Sequence, residues 1–276
     1  MTPRIGFLMP KYSRRSTSCW PSVVPAVASL GAEVEIVHPL SGPLELTTLQ
    51  VRHDLYVLRK VSGLSLSLAG ALHELGATIV NAYPATAAIH DKIVTAGILQ
   101  RACVPVPATY TSGEPADLAP LLEAGPLIVK PYDGAGGHHV CIVRDPADLA
   151  SLPHERRQPV FAQRYHAPQG PDLKLYVIGE RVFGVKKPFP RTTVAEKSGE
   201  PFVPGPELCR IALACGAAFG LELYGVDVIE SEGGFYVVDV GSLPGYRGVP
   251  DAPRLLAEHL VAAARHGTTV LSGAVP

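Results

Sequence analysis

Residues 224–240 read YGVDVIESEGGFYVVDV, and this stretch carries the clearest information about the fold. Two apolar segments, Tyr224–Glu230 and Phe235–Val240, flank a turn that is rich in glycine, so the pattern predicts a β-hairpin. Each segment contains one aspartate, Asp227 or Asp239, among valines and isoleucine. Carboxylates in strands this apolar are costly unless they are paired, hydrogen-bonded or bound to a metal.

The two aspartates face each other only in one register of this hairpin. Opposite residues of an antiparallel hairpin have a constant sum of residue numbers, so a turn centred on Gly233 places Asp227 opposite Asp239, with Cβ atoms about 4.5–5.5 Å apart. A shift of the centre by half a residue would put the carboxylates on opposite faces. Facing carboxylates repel unless a cation lies between them, and their oxygens suit Mg²⁺. The alternative is that each aspartate caps a turn or pairs with an arginine such as Arg247.

The composition narrows the class of protein. With 276 residues, 47% hydrophobic and 18% charged, the chain is typical of a compact soluble protein with more than one domain. The formal net charge of -1 disfavours nucleic-acid binding, and no apolar stretch approaches the roughly 18–20 residues that span a membrane. The five cysteines form no C-x-x-C pair and the histidines show no zinc spacing, so we expect a reduced, cytoplasmic protein without zinc.

The chain upstream and downstream of the hairpin divides into three predicted domains. Short apolar strands alternate with helical patterns over residues 1–85, which predicts a parallel α/β domain. Over residues 86–168, a predicted helix at about Ala85–Arg101 is followed by a helical stretch near Pro115–Ala124. Strands on both sides of a Gly-rich turn come next, as in a small α+β domain. Residues 169–270 contain antiparallel strand patterns and two helical patterns, Pro206–Phe219 and Pro253–His266, which predicts a larger α+β domain.

The Gly-rich turn and the lysine before it are candidates for phosphate binding. Residues Asp133–His139 read DGAGGHH, and free backbone N–H groups in such a turn can fold over phosphates. The turn lacks the Gly-Lys-Ser/Thr of a Walker A loop, and His139 stands at the last position of G-x-G-x-x-G, so a flexible hairpin tip is the alternative. Lys130 ends the preceding apolar strand, where it can reach a phosphate under the turn or remain an exposed strand-end lysine.

In their order along the chain, these segments resemble the ATP-grasp superfamily, specifically its branch of RimK-like ligases and inositol trisphosphate 5/6-kinases. The resemblance runs from about Asn81 to Leu260, and its strongest blocks are Gly220–Ile229 and Val237–Tyr246. Three further segments fit in the expected order: His90-Asp91-Lys92, Val129-Lys130-Pro131 and Asp172–Gly179. The resemblance implies an ATP-grasp fold with an N-terminal parallel α/β domain, a central α+β lid domain and a C-terminal α+β domain.

The resemblance also implies ATP and Mg²⁺ as cofactors, with ATP between the central and C-terminal domains. Asp227 and Asp239 match the magnesium ligands. Lys174 matches the basic residue that faces the transferred phosphate or the substrate, and Arg247 is the second predicted catalytic residue. The predicted nucleotide-binding residues are two phosphate-contacting lysines, the lid and the hinge beside adenine: Lys92, Lys130, Gly134, Gly136, Gly137, His138, His139, Gln163, Arg164 and Tyr165.

One position departs from the family pattern. The family usually has an asparagine two residues after the acidic residue of the metal strand, whereas this chain reads Asp239-Val240-Gly241. Gly241 has no side chain that could coordinate a metal. One magnesium ion could therefore be weakly held, be held by water or be held by another residue, and a protein that binds ATP without turnover is a further alternative.

Two reactions fit the resemblance. A carboxylate–amine ligase that works through an acyl phosphate is the first hypothesis, favoured by Asp172-x-Lys174 and by the run Gly220–Asp227. Its substrate would be a small molecule or a peptide with a carboxylate. An inositol-polyphosphate kinase is the alternative, favoured by Asp239 in place of Glu and by Pro244-Gly245-Tyr246. The cations available for a phosphorylated substrate are Arg59, Lys60, Lys186, Lys187, Arg191 and Arg247. The oligomeric state stays open, with a homo-oligomer as one alternative.

Overall fold

The computed structural model of the protein describes residues 2–9, 18–38, 42–59, 63–133, 140–153, 158–188 and 193–267. These residues form three β-sheets, one parallel and two antiparallel, with helices packed against them. The predicted succession of a parallel sheet followed by two antiparallel sheets is confirmed. Within the described part of the chain, no helix is long and apolar enough to cross a membrane.

The first sheet has four parallel strands in the order β2-β1-β3-β4. Its elements are β1 (Arg4–Leu8), α1 (Trp20–Ser29), β2 (Glu33–Val37), β3 (Leu55–Leu58), α2 (Leu64–Glu74) and β4 (Ile79–Val80). The central strands β1 and β3 are almost fully buried. This explains their continuous apolar runs, because a parallel sheet is covered on both faces.

Two helices follow where the sequence pattern predicts one helix over Ala85–Arg101. The structure has α3 (Tyr83–His90) and α4 (Lys92–Arg101), so the prediction of a single helix was wrong. Asp91 breaks it by adopting an extended conformation (φ -102°, ψ 112°), and its carboxylate accepts hydrogen bonds from the N–H groups of Ile93 and Val94 at 2.8 and 3.1 Å. An aspartate in this position caps a new helix, so Lys92 enters the first turn of α4.

The second sheet is antiparallel, with the strand order β5-β8-β6-β7. Its elements are β5 (Thr109–Ser112), β6 (Leu127–Pro131), β7 (Cys141–Val143), α5 (Pro146–Ala150) and β8 (Val160–Arg164). The helical stretch predicted near Pro115–Ala124 is a 3-10 helix. Pro120 lies inside it and cannot donate a hydrogen bond to the preceding turn.

The third sheet has five antiparallel strands in the order β11-β10-β9-β12-β13. Its elements are β9 (Asp172–Ile178), β10 (Arg181–Lys187), α6 (Val194–Ser198), β11 (Glu200–Phe202), α7 (Pro206–Phe219), β12 (Leu223–Ser231), β13 (Gly234–Ser242) and α8 (Ala252–His266). Strand β13 lies at the sheet edge, where its N–H groups need partners. The N–H of Val237 donates to the carbonyl of Pro105 at 2.8 Å, so the chain before the second sheet covers this edge.

The first and third sheets share one hydrophobic core. Trp20 of α1, Tyr246 after β13, and Leu256 and Leu260 of α8 are all at most 1% exposed and belong to the same buried cluster as strands β1 and β3. Helix α8, although it ends the C-terminal part of the chain, thus packs against α1 of the first sheet. The third sheet is thereby held against the first.

Asn81 ties the end of β4 to the third sheet through four buried hydrogen bonds. Its Nδ2 donates to the carbonyl of Leu223 at 2.7 Å and to Ser242 Oγ at 2.9 Å. Its Oδ1 accepts from the N–H groups of Glu222 and Leu223, both at 3.0 Å. Because the amide is 1% exposed and uses all these groups, it fixes the start of β12 relative to the first sheet.

Candidate active site

A β-bulge at Val238 sets the register that brings the two predicted metal ligands together. Next to the turn, Ser231 pairs with Gly234 and Val228 with Val237, which is a register centred between Glu232 and Gly233. That register alone would place the two aspartates on opposite faces. The pairing shifts after Val228, so that Asp227 lies directly opposite Asp239 and Val238 is the extra residue. The assumed turn centre on Gly233 was wrong, but the facing pair forms.

Lys174 completes a row of charged residues across three neighbouring strands. Lys174 of β9 pairs in register with Asp227 of β12, which in turn pairs with Asp239 of β13. The Nζ of Lys174 lies 2.8 Å from Oδ1 of Asp227. Burial lowers the pKa of Lys174. The charge of Asp227 and the hydrogen bond with it, together with Tyr176 and the charge of Asp239, outweigh burial, so the pKa is raised overall. Lys174 therefore remains a cation beside these carboxylates.

Gly225 makes room for this lysine. A β-carbon at Gly225 would lie 3.0 Å from Cε of Lys174 and 3.2 Å from Cγ of Pro244. Contacts this short would force the lysine side chain to move. The glycine two residues before Asp227 is thus part of the site, although the sequence pattern assigned it no role.

Lys92 reaches Asp239 from the first turn of α4. Its Nζ lies 3.4 Å from Oδ1 of Asp239, and its own N–H donates to the carbonyl of Tyr132 at 2.9 Å. A cation at a helix N-terminus is unfavourable because the helix dipole is positive there. The position of Lys92 is therefore explained by the carboxylate that it faces, not by helix stability.

Lys130 enters the same site from the end of β6. Its Nζ donates to the carbonyl of Val238, the bulged residue, at 2.9 Å. Burial lowers the pKa of the Lys130 ammonium to about 8; the charge of Asp239 opposes this shift and that of Lys92 adds to it. The contact with Val238 excludes the alternative that Lys130 is an exposed lysine at the end of a strand.

Lys92, Val238 and Asp239 also line a cleft between the second and third sheets. The cleft continues along α4, the start of β5, strand β8 and strand β13. Its lining residues are Lys92, Thr95, Ala96, Leu99, Val106, Thr109, Phe161, Gln163, Val237, Val238 and Asp239. One end is charged and the other is apolar, as a nucleotide with phosphates and a flat base requires. Thr109 and Phe161 were missed by the sequence analysis because no local pattern distinguishes them from other strand residues.

The three residues predicted as the adenine hinge do not all reach this cleft. Gln163 does, and its Nε2 donates to Thr109 Oγ1 at 3.3 Å. Arg164 points the other way, because neighbouring residues of a strand face opposite sides. Its guanidinium donates to the carbonyls of Leu121, Gly125 and Pro126 at the end of the 3-10 helix. Tyr165 follows β8, and its N–H donates to the carbonyl of Pro126.

We expect Arg164→Met to destabilise the protein without weakening nucleotide binding. The substitution removes charge-assisted hydrogen bonds to three carbonyls, which lowers the free energy of unfolding by about 2 kcal/mol. Thermal unfolding and the Kd of ADP measure the two effects, and Arg144→Met, at an exposed arginine, is the control. A tenfold weaker ADP affinity at unchanged stability would assign the Arg164 side chain to the nucleotide.

The remaining predicted site residues are the lid residues and Arg247. The predicted lid residues Gly134, Gly136, Gly137, His138 and His139 lie outside the described residues. Arg247 lies in the loop after β13, and within the described part of the chain it forms no ion pair with Asp227 or Asp239. The aspartates pair with Lys174 and Lys92 instead, so the alternative that they pair with Arg247 is wrong.

The carboxylates fit a magnesium ion that is also held by a nucleotide. Asp227 and Asp239 face each other in register, and the described residues contain no cluster of three or more His, Cys, Asp or Glu side chains arranged to bind a metal. Magnesium in nucleotide sites is commonly bound by one or two carboxylates together with phosphate oxygens and water. At Gly241, a β-carbon would have no neighbouring atom within 4 Å, so the space that an asparagine side chain would occupy is open.

The chain is similar in sequence and in structure to known proteins. A family model described as RimK-like ATP-grasp domain matches residues 89–262, which include every residue of the charged row and the cleft. The chain belongs to the RimK-like ATP-grasp family. It is 24% identical over 257 residues to a probable alpha-L-glutamate ligase 2 of Shewanella frigidimarina, a match that covers 83% of this chain and 86% of that protein.

Solved ATP-grasp structures show the same fold. A RimK domain ATP-grasp protein from Sphaerobacter thermophilus superposes with a TM-score of 0.78 at 22% identity, covering 93% of this chain and 99% of that one. The D-alanine–D-alanine ligase of Bacillus anthracis, solved with ATP, has a TM-score of 0.72 at 20% identity, covering 96% and 98%. The predicted ATP-grasp fold and the predicted class of ATP-dependent ligase are confirmed.

Proposed function

We propose that this RimK-like ATP-grasp protein is a carboxylate–amine ligase that activates its carboxylate substrate as an acyl phosphate. The observation that carries the proposal is the row of Lys174, Asp227 and Asp239, with Lys92 and Lys130 above it. Three cations in contact with two facing carboxylates or with the bulge between them suit the terminal phosphates of ATP together with Mg²⁺.

Each residue has a proposed role in the reaction. Lys92 and Lys130 bind the phosphates of ATP, and Asp227 and Asp239 hold Mg²⁺, which when bound neutralises the charge that develops on the phosphates. Lys174 orients the transferred phosphate and the incoming carboxylate. Gln163 and the apolar end of the cleft receive the base, and the lid residues Gly134–His139 exclude water.

The proposed reaction has two steps, phosphoryl transfer and amide formation. A carboxylate oxygen of the substrate attacks the γ-phosphorus, the bond to the β,γ-bridging oxygen breaks, and ADP leaves with the electron pair. The amine then attacks the acyl carbon, loses a proton, and inorganic phosphate leaves as the amide forms. The names of the relatives, alpha-L-glutamate ligase and D-alanine–D-alanine ligase, support a substrate with a carboxylate, either a small molecule or a peptide.

The three sheets support a division into residues 1–85, 86–168 and 169–270, which we propose as domains. The second sheet lies wholly within 86–168, and the third within 169–270. The shared core of the first and third sheets supports motion of the central domain alone, over a unit formed by the other two.

A product screen tests the function. Incubation of the protein with ATP, Mg²⁺, amino acids and other carboxylates is expected to yield ADP and a new amide detectable by mass. ADP formed only in the presence of inositol phosphates would replace the ligase by a kinase. A protein that is stabilised by ATP and Mg²⁺ but forms no ADP with any pool would be a nucleotide-binding protein without turnover.

We expect Gly241→Asn to raise the affinity for Mg²⁺ in the presence of ADP about tenfold, since removal of a well-placed metal contact commonly costs that much or more. Gly241 has an ordinary backbone conformation and open space around its β-carbon position, so the asparagine side chain fits. Titration of Mg²⁺ against ADP binding measures the change. Gly241→Ala is the matched control, and equal Mg²⁺ affinities of the two variants would contradict the open ligand position.

A further inference from the structure

Thr109 and Gln163 form a chain of hydrogen bonds in the wall of the cleft. The two residues are paired in register between β5 and β8. The hydroxyl of Thr109 donates to the carbonyl of Pro107 at 2.8 Å, and Nε2 of Gln163 donates to Oγ1 of Thr109 at 3.3 Å. A threonine hydroxyl carries one proton, and here the Pro107 carbonyl receives it. Thr109 therefore meets the Gln163 amide as an acceptor.

This chain of hydrogen bonds fixes the direction of the Gln163 amide. Its NH₂ group faces Thr109, so its carbonyl oxygen Oε1 points away from that residue. Within the described part of the chain, Oε1 accepts no hydrogen bond, yet the atom is not buried, although Gln163 as a whole is only 7% exposed. Because Gln163 lines the cleft, the open side of Oε1 is the cleft. The protein thus offers a free acceptor to a ligand there.

The side chains that share the cleft with this acceptor include three apolar ones. Leu99, Val106 and Phe161 line the cleft together with Gln163, and Leu99 and Phe161 are 4% and 3% exposed. Apolar side chains supply no hydrogen-bond donor, and an acceptor in such surroundings gains most from a donor that a ligand brings. A flat ring with an N–H group at its edge meets both requirements.

The carbonyl at the start of the chain of hydrogen bonds is held in place. Pro107 is buried, and its ring fixes its own φ. Two residues earlier, the carbonyl of Pro105 accepts from the N–H of Val237 in β13 at 2.8 Å. One residue later, the carbonyl of Ala108 accepts from the N–H of Arg164 in β8, also at 2.8 Å. The backbone is therefore anchored on both sides of Pro107, and the hydroxyl that donates to it has a fixed partner.

A purine base presents opposite hydrogen-bonding groups at its position 6. The 6-amino group of adenine donates, whereas the 6-oxo group of hypoxanthine or guanine accepts. The free Oε1 of Gln163 suits the amino group and repels the oxo group. A half-turn of the amide would offer Nε2 to the oxo group, but it would place Oε1 against Oγ1 of Thr109, whose proton is engaged with the Pro107 carbonyl. Thr109 thus opposes the rearrangement that would admit a 6-oxo base.

We propose that Thr109 is the positioning residue for base selection, which holds Gln163 so that the cleft takes a 6-aminopurine nucleotide and rejects a 6-oxopurine nucleotide. Thr109 acts through the amide of Gln163 and does not itself contact the base. Gln163 is the specificity-determining residue. The inference rests on the proposed function, because that function places the base of the nucleotide at the apolar end of the cleft.

The affinities for ADP and inosine diphosphate test the proposal, since these nucleotides differ at position 6 of the purine and in the proton on its N1. With Mg²⁺ present, the wild type is expected to bind ADP at least about tenfold more tightly. Thr109→Val keeps the branched side chain but removes the hydroxyl, so the amide can turn. The two Kd values of this variant are expected to agree within about threefold. Isothermal titration calorimetry measures them.

Three further variants separate base selection from a structural role of Thr109, which would change both affinities alike. Thr109→Ser retains the hydroxyl and should restore the preference for ADP. Gln163→Leu should abolish the preference, and adding Thr109→Val to it should change the ratio of Kd values no further, as for residues that act through one contact. Thr111→Val, at an exposed position of β5, is the matched control. Equal affinities of the wild type for both nucleotides, or an unchanged preference in Thr109→Val, would overturn the proposal.

Binding and turnover together separate this inference from the proposed function. If the protein prefers ADP and Thr109→Val loses the preference, but the product screen gives no amide, the ligase function fails and base selection stands. If the screen gives an amide equally well with ATP and with inosine triphosphate, the ligase function stands and base selection fails. Binding of neither diphosphate would remove the nucleotide from the cleft, which contradicts both proposals.

Discussion

Asp227→Asn and Asp239→Asn are each expected to slow ATP-dependent product formation by about a hundredfold or more, since every 1.4 kcal/mol of lost transition-state stabilisation slows a reaction about tenfold. Each substitution removes the negative charge from one of two facing carboxylates, the proposed magnesium ligands. It also leaves a lysine without its ion-pair partner: Lys174, whose Nζ lies 2.8 Å from Asp227, or Lys92, whose Nζ lies 3.4 Å from Asp239. The rate of ADP formation at saturating ATP and Mg²⁺ measures the loss.

Glu232→Gln is the matched control, because Glu232 lies exposed in the turn of the same hairpin. Its activity should equal that of the wild type. Circular dichroism of all three variants checks that the fold is intact. Full activity of both aspartate variants would remove Asp227 and Asp239 from the metal site. Full activity of one variant alone would leave the other aspartate as the essential ligand.

Gly216→Ala is expected to lower the free energy of unfolding by about 2 kcal/mol or more, as overpacking of a buried contact does. Gly216 lies on the buried face of α7, and a β-carbon there would overlap the phenol of Tyr224 and lie 2.7 Å from its Cε1. Tyr224 is 1% exposed, and its hydroxyl donates to the carbonyl of Ala212 at 2.9 Å. The ring cannot move without losing this hydrogen bond, so the helix must shift away from the sheet.

Gly97→Ala is the control, and it is expected to change the free energy of unfolding in the opposite direction. Gly97 lies on the exposed side of α4, and a β-carbon there would have no neighbouring atom within 4 Å. Alanine in a helix interior is more favourable than glycine by about 0.5–1 kcal/mol, so this variant is expected to be more stable than the wild type. Urea unfolding of both variants measures the difference. A Gly216→Ala variant as stable as the wild type would show that α7 and β12 are less tightly packed than the structure indicates.

Local patterns predicted the elements well where periodicity and end signals agree. Helix α7 has the predicted bounds Pro206–Phe219, with proline at its first position and Gly220 in the left-handed conformation after its end. The prediction of one helix over Ala85–Arg101 was wrong because the apolar spacing continues through Asp91. Only the extended conformation of Asp91 and its capping hydrogen bonds separate the two helices. That break places Lys92 at the site.

Side-chain direction limited the prediction of the nucleotide site. Gln163 and Arg164 are neighbours in β8, and the sequence assigned both to the cleft. Alternation along the strand directs Gln163 into the cleft and Arg164 to the end of the 3-10 helix. Which of two neighbours faces a ligand depends on the sheet that packs on each side, and this information is absent from a local pattern.

The hairpin that carries Asp227 and Asp239 likewise separates what the sequence predicts from what only the tertiary structure decides. The sequence by itself determined that Asp227 and Asp239 lie in adjacent apolar strands, because the alternation of residues and the glycine-rich turn are local properties. It could not determine that they face each other, since the turn alone favours a register that separates them. The bulge at Val238 corrects that register, and the ammonium of Lys130, from a distant part of the chain, donates to the Val238 carbonyl. A bulge leaves a residue outside the ladder and its polar groups need partners, so the packing of the second sheet on the third decides whether the two aspartates meet.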